Sequence, residues 1–375
     1  MKKIILIALL VIIIGGVIAV VATNVNSNSE KEEGKINVVI SNFASYDFLK
    51  AITKDVEGVN LNFLLGPGKD MHSYDPTPQD MIKMQNSDMF VYIGEEIEPW
   101  AEEVIKTFDN PNQILVKIAE ETVTQPEKEV EGAEHHHHDE DAHDHENESH
   151  EHEEESHEHE EESHDHENES HEHEEESHEH EHEEDAHEHE EEHHEHSHAF
   201  DAHVWTSLDN AILMVNALKK DMIKLDEENA NKYEANATAY IAEIEELDVK
   251  IQEIVDNSDN DKLVFGDKMP MQYFIDQYDL EVAAAFAGCS TETEPGTKTL
   301  VHLSDLVREE NIPVILYTEM NDGKVAKSIA EAANNGAQIM QIQTFHNITK
   351  DNFENGATYV SLMESNLDVL KAALK

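Results

Sequence analysis

Of the 27 histidines in this chain of 375 residues, 23 fall between His135 and His198, interleaved with 31 aspartates and glutamates and no lysine or arginine. Neutral imidazole is a borderline ligand that suits zinc, copper and nickel, and carboxylates add oxygen donors and draw cations in. The tract is therefore expected to hold several divalent ions weakly, because a flexible polar chain loses conformational entropy each time it closes around one. Its low-affinity candidates are His135, His136, His137, His138, His143 and His145 at one end and His193, His194, His196 and His198 at the other. Ser149, Ser156, Ser163, Ser170 and Ser177 recur every seven residues, in units such as Ser-His-Glu-His-Glu-Glu-Glu. A heptad of that composition has no apolar seam, which excludes a coiled coil and predicts a disordered segment.

A tight site must draw on the four remaining histidines, His72, His203, His302 and His346. His72 lies in Gly66-Pro67-Gly68-Lys69-Asp70-Met71-His72-Ser73-Tyr74-Asp75-Pro76, a loop that follows an apolar strand-like run. Loops at the carboxyl ends of parallel strands are where α/β proteins bind ligands. His203 lies in Asp201-Ala202-His203-Val204-Trp205, immediately before a helical stretch. Either alone would read as a structural histidine; together, in a chain that also carries a metal-attracting tract, they point to a metal site. His302, inside a helical stretch over 300–307, reads as a surface residue. The one cysteine, Cys289, excludes an internal disulfide and a cysteine-based structural zinc site.

The elements that must position these side chains follow from hydrophobic pattern. Apolar runs over 36–40, 61–65 and 89–93 read as strands, with helical stretches over 46–53 and 78–86 between them. A second alternation places strands at 263–265, 282–286, 314–317 and 338–342. Tyr240, Ile241, Ile244, Leu247, Ile251 and Ile254 recur at helical spacing. The fold class is α/β: two lobes, each a parallel-type sheet with flanking helices, joined by one long connecting helix. The N-terminal lobe is expected over 35–226 with the histidine-rich insertion at 134–198, the connecting helix over 227–256, and the C-terminal lobe over 257–375. Lys2 and Lys3 ahead of the apolar run Ile4–Ala22 make residues 1–23 a signal or membrane anchor, and 24–34 a tether. The formal net charge of −59, or −28 without the tract, excludes nucleic acid as a partner and favours cations.

These motifs resemble the zinc- and manganese-type solute-binding proteins of bacterial ABC importers. Gly68–Pro78 is similar to that family's Pro-His-x-Tyr-Glu-Pro loop, and Asp201–Trp205 to its Asp-Pro-His-Val-Trp motif. The acidic, histidine-rich insertion ahead of the second motif is similar to that of its zinc-importing members, and Tyr359, Met363 and Asn366 resemble its closing helix. The resemblance implies His72 and His203 as metal ligands from the N-terminal lobe. The family's third ligand falls at Lys268, which cannot ligate when protonated; the run Phe265–Phe274 is similar to a subgroup that places Asp267 beside the site. The fourth falls in Gln343–Asn347, where His346 is the natural replacement. Glu319 and Cys289 are held in reserve. The resemblance further implies zinc as the bound ion, an ABC permease with its cytoplasmic ATPase as partner, an extracytoplasmic location and a monomer.

A zinc hydrolase would need an open metal position and a general base, yet the chain has no His-Glu-x-x-His, no Gly-x-Ser-x-Gly and no phosphate-binding glycine loop. An importer component for manganese, or a surface metal buffer or adhesin, would share the site and differ in metal or partner.

Overall fold

The computed structural model describes residues 34–133, 200–288 and 294–375. The expected signal or anchor and tether, the histidine-rich tract and Cys289 lie outside the described residues.

The first sheet is built from β1 (Ile36–Ile40), β2 (Val59–Phe63), β3 (Met89–Tyr92) and β4 (Ile114–Lys117) in the order β2-β1-β3-β4, all parallel. α1 (Phe43–Ile52), α2 (Pro78–Gln85), α3 (Pro99–Ile105) and the single turn α4 (Ile118–Glu121) connect its strands and leave its last one. Neither α3 nor β4 stands out in the sequence. β4 is a four-residue edge strand with Leu115 exposed, so it lacks the buried run that marks β1 and β3.

A short 3-10 turn (Val204–Thr206) leads into α5 (Leu208–Leu225), and a second (Glu227–Asn229) into α6 (Ala230–Asp256), a helix of 27 residues. Tyr233, Ala237, Tyr240, Ile244, Leu247 and Ile251 form its buried stripe, whereas Ile241 and Ile254 are only half-buried. Complete burial of each large aliphatic side chain contributes about 1.5–3 kcal/mol, enough for such a stripe to fix the helix.

The second sheet repeats the first. β5 (Lys262–Met269), β6 (Glu281–Ala287), β7 (Val314–Thr318) and β8 (Gln338–Ile342) run parallel in the order β6-β5-β7-β8. α7 (Gln272–Gln277), α8 (Thr297–Glu309), α9 (Lys324–Ala333), α10 (Lys350–Glu354) and α11 (Tyr359–Ala373) complete the chain. β5 runs four residues past its apolar stretch, and its pairing with β6 shifts register between Phe265 and Lys268. Gly266 lies within this shift, and a Cβ there would lie 2.3 Å from Ala326 Cα, so α9 closes on bare backbone. The irregularity delivers Asp267 and Lys268 to the end of the sheet that faces the histidines.

One hydrophobic core runs through both halves. Val38 and Val91 of the first sheet, Leu218 of α5, Ile244 of α6, Phe265 and Leu316 of the second sheet and Leu370 of α11 all belong to a single buried cluster. The two sheets are thus not independent bodies on a free hinge.

Candidate metal centre

His72 follows β2, His346 follows β8, and both occupy loops at the carboxyl ends of their strands, where ligand sites of α/β sheets form. His203 stands one residue before the 3-10 turn that precedes α5. These three come together. Nε2 of His346 lies 3.1 Å from Nε2 of His72 and 2.8 Å from Nε2 of His203. Among the described residues they are the one group of three or more histidine or acidic side chains whose donor atoms all lie close enough to share an ion, within 4.8 Å of one another. His302 is elsewhere, half exposed on α8 and 3.5 Å from Glu131.

Each ring is held by its surroundings. Asp201 Oδ1 accepts from the backbone N–H of His203 at 2.8 Å and lies 2.7 Å from its Nδ1. A proton on Nδ1 directs the Nε2 lone pair toward the other two rings. Burial pushes the Asp201 carboxyl up, but the charge and hydrogen bonds of His203 outweigh this and hold it below the usual range. His203 is fully buried. Tyr273 Oη donates to the Asp201 carbonyl at 2.6 Å, and Trp205 Nε1 donates to the Thr344 carbonyl at 2.9 Å, tying the His203 segment to the His346 segment.

The His72 loop is fixed from the other side. Asn347, buried next to His346, donates through Nδ2 to the carbonyls of Gly66 at 2.9 Å and Lys69 at 2.5 Å, and Gly68 N–H donates to the Ile348 carbonyl at 2.9 Å. Gly66 and Gly68 both have positive φ, 68° and 77°, the left-handed conformation this loop needs. Asn347→Ala should therefore loosen His72 without removing a ligand: metal affinity in a chelator competition should fall roughly tenfold. The melting temperature should fall by the equivalent of about 1–3 kcal/mol as two carbonyls lose their donor.

Electrostatics keep the imidazoles ready. Burial, with the charge of His203 added, pushes His72 down to about 4; burial and the two neighbouring rings push His346 well below its ordinary value. Both are neutral donors at neutral pH.

Asp267 and Glu319 line the same cavity of about 230 Å³ as His72 and His346, together with Asp70, Lys268 and Asn321. Neither carboxylate belongs to the group of mutually close donors. Asp267 Oδ2 accepts from Thr318 N at 2.8 Å and Thr318 Oγ1 at 2.9 Å, and Glu319 Oε2 accepts from Thr344 N and Oγ1, both at 2.9 Å. The second oxygen of each, Asp267 Oδ1 and Glu319 Oε1, is buried without a hydrogen-bond partner. Burial raises Asp267 to about 6 and Glu319 to about 7 against those threonine bonds. Sequence reasoning named both carboxylates but missed Thr344 and Asn347, whose roles arise only from the loop-to-loop contacts.

A family model described as the periplasmic zinc-uptake complex component A matches residues 38–373. The chain is 27% identical over 352 residues to the high-affinity zinc uptake system protein ZnuA of Bacillus subtilis, covering 94% of this chain and 92% of that one. It is 25% identical over 345 residues to the zinc-binding lipoprotein AdcA of Streptococcus pneumoniae, where it covers 92% of this chain but spans only 57% of the relative's length. In three dimensions it resembles the crystal structure of the Zn(II)-bound ZnuA-like domain of S. pneumoniae AdcA. That likeness has a TM-score of 0.64 at 22% identity, covers 91% of this chain and 99% of the other, and shows a common fold.

Proposed function

We infer the role of this chain from the family to which it belongs, the periplasmic zinc-uptake complex component A proteins: it captures zinc outside the cytoplasm and delivers it to an ABC permease driven by a cytoplasmic ATPase. The observation that carries the reading is the convergence of three imidazole nitrogens from three separate segments, with His203 fully buried and His72 and His346 half-buried. Imidazole-rich coordination in a tetrahedral shell suits zinc, whereas manganese prefers more oxygen. His72, His203 and His346 are the proposed ligands. Asp267 is the carboxylate proposed for the fourth place, by turning its unpartnered Oδ1 toward the rings; Glu319 already holds the Thr344 turn.

The chain acts as a monomeric binding component and not as an enzyme, and residues 1–23 serve to export or tether it. Release needs only loop or side-chain movement, since both halves share one core.

Titration of the whole protein with zinc and with manganese tests this reading. One tight zinc site and a wide margin over manganese are expected, and Asp267→Asn should weaken zinc binding while Asp267→Glu retains part of it. Equal affinities for the two metals would move the chain to the manganese class. The pH dependence has a definite sign. A protonated imidazole cannot ligate, and a lowered pKa keeps the ring neutral further into acid. An unshifted histidine would lose its metal through about pH 6.5. With His72 at about 4 and His346 also lowered, the loss attributable to these two rings should come at clearly lower pH.

A further inference from the structure

We propose that Glu319 and Thr344 form a positioning relay that sets the tautomer and direction of His346, resting on the assignment of His346 as a zinc ligand. Three observations converge on the turn that carries it. Phe345, immediately before His346, has φ of 61°, a left-handed conformation that a bulky residue adopts only when its surroundings force it. Glu319, buried just past the end of β7, clasps this turn: its Oε2 accepts from both the backbone N–H and the hydroxyl of Thr344. Thr344 Oγ1 in turn lies 3.3 Å from His346 Nδ1.

Proton counting makes the chain directional. To ligate through Nε2, His346 must carry its proton on Nδ1. The hydrogen-bond partner at Nδ1 among the described residues is Thr344 Oγ1, which must then accept. A hydroxyl has one proton to give, and that proton goes to the Glu319 carboxylate. A carboxylate in this place accepts and so leaves the threonine oxygen's lone pair for the imidazole. The arrangement parallels Asp201 on His203, with a threonine interposed. A purely structural clasp would need the Thr344 backbone N–H alone; the hydroxyl's second contact is what links the carboxylate to the ring.

The relay is tested on the full chain with Thr344→Val, which keeps the shape and removes the hydroxyl, and Thr344→Ser, which restores it. Zinc affinity should fall about 10–100-fold in Thr344→Val and return to within a few-fold in Thr344→Ser. In zinc-loaded protein, the Nδ1–H of His346 should give a ¹⁵N-resolved signal protected from exchange in the parent and the serine variant. That signal should exchange rapidly in the valine variant. Glu319→Ala, which removes the acceptor of the hydroxyl proton, should reproduce the lost protection, and serves if Thr344→Val does not fold. Unchanged zinc affinity and unchanged Nδ1–H protection in Thr344→Val or Glu319→Ala would overturn the relay. Affinity that serine fails to restore would reduce it to packing. A parent protein with no tight zinc site would instead overturn the functional reading on which the relay rests.

Discussion

His203→Ala should weaken zinc binding by more than about a hundredfold, beyond the ~10–100-fold that follows loss of an outer hydrogen-bond partner. The substitution removes one of three imidazoles and also strips Asp201 of its partner. Asp201 is buried, and His203 Nδ1 at 2.7 Å is what holds its carboxyl below the ordinary range. The metal-free protein should therefore also lose about 1–3 kcal/mol of stability, because a buried carboxylate is left short of a donor. Chelator competition measures the first effect and thermal melting the second. His203→Ala binding zinc as tightly as the parent would remove His203 from the site. A loss of stability without loss of affinity would leave it a structural residue paired with Asp201.

Replacing residues 134–197 with a short Gly-Ser linker should produce the largest change in binding capacity and almost none in the tight site. The segment holds 22 of the chain's 27 histidines, and its removal should abolish several weak zinc equivalents. The tight site should keep its affinity to within about threefold, since its proposed ligands lie outside the segment and are placed beforehand by packed loops. The tract's acidic side chains should raise the local zinc concentration, an effect that salt weakens. Uptake should suffer when zinc is scarce and hardly at all when it is plentiful. Calorimetry gives the stoichiometry and growth on limiting zinc the consequence. A truncated protein with no tight site would make the tract itself the receptor.

Much of the fold was legible because β1, β3 and β7 are apolar runs that pack on both faces, and because α6 carries its buried residues at helical spacing. β4 was not, being short and at an edge. The far end of β5 was not, because Gly266, Asp267 and Lys268 look like a loop until α9 is seen to close against Gly266. His72 and His203 stand in recognisable loops, and His346 was reached through the family resemblance, as the replacement for its fourth ligand. The partners that aim them were not legible. That Thr318 holds Asp267 depends on β7 lying beside β5, and that Asn347 holds the Gly66–Lys69 backbone depends on two loops separated by more than 270 residues of chain meeting in space.

The base of the histidine-rich insertion has a consequence for how such a tract can change over generations. Pro126 bridges Phe200 in antiparallel fashion, Asp201 N–H donates to the Gln125 carbonyl at 3.0 Å, and Glu131 bridges Ala283 on the rim of β6. Chain leaving and chain returning are thus both fastened to the folded body before the repeats begin and after they end. The entropic cost of closing a loop rises only logarithmically with its length, by about 0.6 kcal/mol for each doubling. Copying errors in a seven-residue repeat can then add or delete whole units while Asp201, His203 and Trp205 keep their register. The length of the repeat can then drift while the geometry around His203 is inherited separately from it.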